Sequence, residues 1–330
     1  MFRKICLAAA LLLIAAAFFL LTNQWLCRNS EKSLGKDSFR APMAQQTAPG
    51  KKHFRVAVFS DFTDHLDSME KVAAALQKQQ PDFVLCLGDM VRKGSRADYR
   101  YLIQKFRRIF HLPVYVIPGN WDRSPSGSWQ IFRHFFGRDF YSFQHGDTLF
   151  IALNSAEQEL SGEQLLFLRR TLETKNDSIR RKVVFCHIPP VDPRPDEQHS
   201  MTPAAAEQLR RILQEYPVQL ILCGHIHHFT DTRFDGCRMV TTPSSGQEVR
   251  DPDNPMFGYL LLNFLPDGNI RIQQCSVTDQ TGKNSVEYFF RVVLCRGEWL
   301  VGAIAMLAAG ILLLLSGCRK PADCSGNFPS

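Results

Sequence analysis

Residues 220–229 read Leu-Ile-Leu-Cys-Gly-His-Ile-His-His-Phe, so three histidines follow directly on a short apolar run. Residues two apart on an extended or sharply turning segment project to the same side. His225 and His227 can therefore reach one centre, while His228 points elsewhere. Neutral imidazole is a common metal ligand, and a pair held close on a short segment suits that role better than a lone surface histidine. Four other apolar runs end the same way, in Asp61, Asp89, Asn120 and His187. Each has a structural reading on its own: an Asp caps a turn, Asn after Gly119 suits one, and His187 can be a satisfied core residue. Together they form a set of oxygen and nitrogen donors, and ligands of open α/β sheets gather at the carboxyl ends of strands.

The segments that must position these residues are legible as alternating strands and helices. Strands are expected at 55–60, 83–87 and 113–117, with helices at 68–79 and 99–110 between them. That alternation implies βαβ units and a mainly parallel sheet. A hairpin is expected around Gly146 and Asp147, joining 140–143 to 148–153. A helix over 161–172 opens with Ser161 as N-cap, a strand covers 182–186, and a helix over 202–216 carries Pro203 at its first position. Further strands are expected at 238–242, 259–264, 270–275 and 287–294, with an antiparallel character.

The order of the donor residues resembles the calcineurin-like metallophosphoesterase superfamily, whose blocks are D-x-H, GD, GNH[D/E], a lone His and GHxH. Here they read Asp61-Phe62-Thr63, Gly88-Asp89, Gly119-Asn120-Trp121-Asp122, His187, and Gly224-His225-Ile226-His227. The resemblance runs from about residue 54 to about 264. The segments 136–143 and 149–155, His187-Ile188-Pro189-Pro190 and Gly224–Phe229 resemble the purple-acid-phosphatase-like and cyclic-nucleotide-phosphodiesterase-like branch. It implies a four-layer α/β/β/α sandwich and a centre of two metal ions, Mn, Fe or Zn. By the same resemblance Asp89 bridges the ions, Asn120, His187 and His225 complete one shell, and Asp61 and His227 bind the other ion. Asn120 would also touch substrate. Two ions about 3.5–4 Å apart clamp a phosphoryl group and activate a bridging water for in-line attack.

Two residues depart from the pattern. Thr63 stands where the family has a metal-binding His, and His65 or Asp64 is a candidate replacement. Trp121 stands where the family has the His that protonates the leaving group, and an indole N–H is not an acid near neutral pH. General acid catalysis contributes about 10²–10⁴-fold, so slow turnover of poor leaving groups is expected. His228 and His65 are the candidate substitute acids. The expected function is a metal-dependent phosphohydrolase acting on phosphomonoesters or phosphodiesters. The alternative is a degenerate member that binds phosphate-bearing ligands or lipid head groups with little turnover.

The 330 residues carry a formal charge of +7 and 25 phenylalanines, enough apolar content for a sizeable core and too little clustered charge to signal nucleic acid. The ten cysteines lack the pattern of a disulfide framework, and Cys86, Cys186 and Cys223 lie within apolar runs. Both ends read as membrane-directed. Residues 1–26 form an apolar anchor or a signal segment, and the lack of a small-residue cleavage site favours the anchor. Residues 27–52 read as a flexible tether, 53–295 as the metallophosphoesterase domain, 296–317 as a second transmembrane helix and 318–330 as a tail. The catalytic domain is expected outside the cytoplasm, although Arg28, Lys32, Lys36 and Arg40 after the first segment favour the opposite orientation.

Overall fold

A computed structural model describes residues 2–33, 46–48, 50–63, 65–194, 198–251, 253–277, 289, 292–295 and 298–318. The chain divides into two compact units, one formed by residues 34–285 and the other by residues 1–33 with 286–330.

In the larger unit the β-branched and aromatic runs form strands. These are β1 (Gln46–Thr47), β2 (Phe54–Phe59), β3 (Phe83–Cys86), β4 (Val114–Val116), β5 (Tyr141–His145), β6 (Thr148–Ala152), β7 (Arg181–Phe185), β8 (Leu220–Cys223), β9 (Thr230–Phe234), β10 (Cys237–Thr241), β11 (Phe257–Phe264) and β12 (Ile270–Val277). The helices are α2 (Leu66–Lys78), α3 (Arg96–Ile109), α4 (Gln130–Phe136), α5 (Gly162–Glu173) and α6 (Pro203–Glu215). A five-stranded sheet has the order β12-β11-β2-β3-β4, and a seven-stranded sheet has the order β1-β5-β6-β7-β8-β10-β9. Strands β2, β3 and β4 run parallel, as do β6, β7, β8 and β10. Strand β11 is antiparallel to β2 and β12, and β9 is antiparallel to β10.

Alternation along the strands sends side chains to two cores. Val56, Val58, Leu85 and Leu262 meet Phe150, Phe185, Leu222 and Val240 between the sheets. Ile151, Val184, Ile221 and Met239 face the other way, onto Leu168 of α5 and Leu209 and Ile212 of α6. On the outer face of the five-stranded sheet, Phe59 stacks with Phe62 and packs against Phe106 of α3. The helix starts are locally specified. Ser95 and Asp98 form a capping box at α3, Ser161 caps α5, and Thr202 caps α6 ahead of Pro203.

Several expectations need correction. Helix α3 begins three residues before the expected start, because the Ser95 box nucleates it. Strands β1, β9 and helix α4 were not foreseen. Pairing of β1 with β5 places backbone of the expected tether in a sheet, and helix α1 (Phe2–Ser33) continues past residue 26 into the same stretch. The expected strand at 287–294 is not formed where it is described, since Val293–Cys295 is a 3-10 turn. The expected tail lies outside the described residues from 319 onward.

In the smaller unit, α1 contains one apolar segment, Lys4–Leu26, long enough to cross a membrane. Helix α7 (Glu298–Cys318) carries a shorter apolar segment, Trp299–Leu315. The two helices pack on each other. A Cβ at Gly310 would meet the Ala10 carbonyl at 3.1 Å, and Leu20, Leu294 and Ala303 form a small shared core. The Asn23 side-chain amide donates to Cys295 Sγ at 3.3 Å.

Candidate metal centre

Each donor residue sits two to four positions past a buried parallel strand. Asp61 follows β2, Asp89 follows β3, Asn120 follows β4, His187 follows β7, and His225 and His227 follow β8. The sheets stack with these ends together, so two groups of side chains converge. In the first, His187 Nε2 lies 3.1 Å from Asn120 Oδ1 and 3.4 Å from Asp89 Oδ1, with the His225 ring centroid 5.1 Å from that of His187. Donor atoms of Asp89, His187 and His225 all lie within 4.8 Å of one another. In the second group, His227 Nε2 lies 3.4 Å from Asp61 Oδ1.

The backbone pays a conformational cost to bring them there. Asp61, Asp89, His225 and His227 all have positive φ, between 54° and 70°. Left-handed backbone at non-glycine residues is unfavourable and clusters at functional sites. Two glycines permit the close approaches. A Cβ at Gly119 would sit on Asp89 Oδ1, and one at Gly224 would lie 2.9 Å from Asp61 Oδ2.

The side chains are oriented from behind. His187 Nδ1 bonds the Leu87 carbonyl at 2.7 Å and His227 Nδ1 bonds the Glu248 carbonyl at 2.6 Å, which turns both Nε2 atoms inward. Asp61 is bonded by Ser60 Oγ and by the His225 backbone N–H at 3.0 Å. Trp121 N–H donates to Asp89 Oδ1 at 2.9 Å. Asp122 organises the Asn120 turn by accepting from the backbone N–H groups of Gly119 at 2.8 Å and of Met90 and Val91 at 3.0 Å. Burial and the nearby Asp89 charge push its carboxyl up to about 8, against the pull of those donors.

This donor set fits divalent metal ions. Burial lowers His187, and burial together with His187 lowers His225 to about 3, so both are neutral and free to donate through nitrogen. Burial would raise Asp61, but His227 outweighs it and holds the carboxyl well below its ordinary value. Burial and the charge on Asp61 push Asp89 well up. Two fully buried carboxylates facing each other call for a cation, and carbonyls behind ligating imidazoles are the usual outer partners of metal ligands.

The remaining candidates lie at various distances from this cluster. Thr63 is buried, and its hydroxyl donates to the Asp89 carbonyl at 3.2 Å. His65 occupies the N-cap of α2, with its Cβ 3.1 Å from the position a Cβ would take at Gly246. Asp64 lies outside the described residues. His228 Nε2 lies 3.6 Å from Asp251 Oδ1, so its ring pairs with an acid and not with a ligand. The Trp121 indole is exposed. His199, whose ring centroid lies 5.7 Å from that of His225, and the loop 244–248 also lie by the site, and no single residue of either stands out in the sequence. Neither carries a motif. His199 is placed by its backbone N–H donating to Asp192 at 3.1 Å.

A model of the calcineurin-like phosphoesterase family matches residues 54–229, just over half of the chain. The chain belongs to that family. This phosphoesterase is 28% identical over 189 residues to a probable glycerophosphodiester phosphodiesterase, GpdQ, of Arcobacter nitrofigilis, covering 52% of this chain and 66% of that protein. It is 27% identical over 190 residues to the 3',5'-cyclic adenosine monophosphate phosphodiesterase CpdA of Escherichia coli, covering 54% and 67%. The match thus spans about two thirds of the length of these relatives. Among solved structures, the phosphoesterase is similar in fold to the purple acid phosphatase PPD1 of yellow lupin. The TM-score is 0.58 at 15% identity, with 71% of this chain and 53% of that chain covered.

Proposed function

We propose that this chain is a membrane-tethered, metal-dependent phosphoric ester hydrolase acting on phosphomonoesters or phosphodiesters. The observation that carries the reading is the convergence of Asp61, Asp89, Asn120, His187, His225 and His227, with inward-turned imidazoles and buried carboxylates. In this reading Asp89 is shared between two ions, Asn120, His187 and His225 hold one, and Asp61 and His227 hold the other. Oxygen and imidazole donors without thiolate suit Mn, Fe or Zn. The ions, when bound, supply Lewis acidity and an activated water. The protein's own part is positional. The Asn120 amide, beside both Asp89 and His187, orients substrate oxygens, and the surrounding apolar strand ends keep bulk water from the carboxylates. The relatives named phosphodiesterases favour including diesters in the substrate class. Residues 53–295 would form the catalytic domain, with α1 and α7 as terminal membrane spans. In this reading the catalytic domain lies outside the cytoplasm.

The test is hydrolysis of p-nitrophenyl phosphate and bis(p-nitrophenyl) phosphate by the full chain in detergent. Expected are chelator-sensitive activity and its recovery with Mn²⁺; no metal-dependent hydrolysis of either ester sinks the reading. The exposed Trp121 favours a second reading, a phosphate-binding protein with little turnover. Trp121→His separates the two. A crippled enzyme gains about 10²–10⁴-fold on alkyl esters, whose leaving group needs a proton, and little on aryl esters.

A further inference from the structure

The loop after β10 lies against the half of the centre formed by Asp61 and His227. Gln247 N–H donates to the Asp61 carbonyl at 2.8 Å, and the next residue, Glu248, accepts from His227 Nδ1. Ser244 Oγ lies within hydrogen-bond distance of the carbonyls of Asp61 and Gln247, at 3.0 and 2.8 Å, which fixes the loop's path. Gly246 packs on Phe62 and His65, so the loop also covers the segment that contains Thr63. Thr63 itself is committed, since both its N–H and its hydroxyl donate to the Asp89 carbonyl.

The Gln247 side chain has no such commitment. Its Nε2 is buried, and it faces the Asp89 carboxylate without meeting full hydrogen-bond geometry. A buried amide nitrogen left in that state is costly, and protein interiors rarely keep one without a reason. Exchanging the amide's oxygen and nitrogen, which occupy nearly the same shape, directs Oε1 to the same point. An amide oxygen is a hard, neutral donor suited to Mn or Fe beside carboxylates.

We propose that Gln247, through its side-chain oxygen, supplies the ligand that Thr63 lacks and completes the half of the centre held by Asp61 and His227. The assignment rests on the two-ion reading given above. It also explains how a chain with Thr63 can keep two ions without recruiting His65 from the N-cap of α2.

The experiment is Mn²⁺ titration of the full chain in detergent, read by elemental analysis and by the paramagnetic resonance of free Mn²⁺. Wild type binds two ions. Gln247→Leu keeps the ion held by Asp89, His187 and His225, which also reports that the fold survives, and binds the second about 10–100-fold more weakly. Gln247→Glu, which retains a side-chain oxygen, keeps both, and Thr63→His in the Gln247→Leu background recovers the second. Two ions of unchanged affinity in Gln247→Leu overturn the assignment alone. Equal loss in Gln247→Leu and Gln247→Glu also overturns it. A wild-type protein that binds no metal overturns both the assignment and the reading beneath it.

Discussion

Burial lowers all three imidazoles of the site, yet the net shift differs between its two halves, and the reason is one carboxylate. His187 and His225 lose their tendency to protonate because burial outweighs the pull of Asp61 on each, and His225 falls to about 3. His227 is also buried, yet the charge on Asp61 and their hydrogen bond outweigh burial and raise it above the ordinary 6.5. Asp89 is raised as well, by burial first and then by the charge on Asp61. In the two-ion reading, metal would have to displace the protons that His227 and Asp89 retain, whereas His187 and His225 have none to lose. The sign follows directly. Affinity rises with pH, and at the Asp61–His227 half the loss on acidification begins above pH 6.5. Each displaced proton contributes about tenfold per pH unit below the group's pKa. Mn²⁺ titrations at pH 8, 7 and 6 should show the weaker ion lost first on acidification, and a second-ion affinity that stays flat over that range would contradict the argument.

At the scale of elements, the end of the sheets away from the ligands carries its own test. Arg181, the first residue of β7, is buried and pairs with Asp147 in the β5–β6 turn. Its guanidinium also donates to the carbonyls of Leu265 at 3.0 Å and Lys52 at 3.2 Å, and lies over the Phe54 and Phe264 rings. It thus ties the end of β11 in one sheet to a turn of the other. Arg181→Met leaves Asp147 buried and uncompensated, which should cost about 3–5 kcal/mol in urea unfolding while leaving metal affinity intact. A change under about 1 kcal/mol, the scale of an exposed ion pair, would show that the tie is dispensable. None of this was legible beforehand, since Arg181 reads as an ordinary charge flanking a strand. What was legible follows from burial. Strands covered on both faces appear as apolar runs, so β2, β3, β7 and β8, and the ligands behind them, stand out. Strand β9, Thr-Asp-Thr-Arg-Phe, lies at a sheet edge with exposed alternate residues and leaves no such run. Gln247 and His199 are single polar residues on loops, and only the stacking of the two sheets makes them neighbours of the site.

At the scale of the whole molecule, the pairing of α1 with α7 constrains the topology of the chain. Ala10 meets Gly310 and Asn23 meets Cys295, so residue numbers rise along one helix as they fall along the other. The helices are therefore antiparallel, with Ser33 and Glu298 at the same end of the pair. The Lys4–Leu26 segment has 23 residues, enough to cross a hydrocarbon core of about 30 Å at 1.5 Å per residue. Trp299–Leu315 has 17, the lower limit for a span, and needs a flanking turn of α7 or local thinning of the bilayer. If both cross, residues 45 and 280 share one side, and residue 330 lies on the other with the N-terminus. Reporter fusions at these three positions should divide in that way, and the chain should resist extraction from membranes by alkaline carbonate. Fusions at 45 and 330 reporting the same compartment would mean that only α1 spans, with α7 packed along it at the interface; release by carbonate would mean that neither helix anchors the protein.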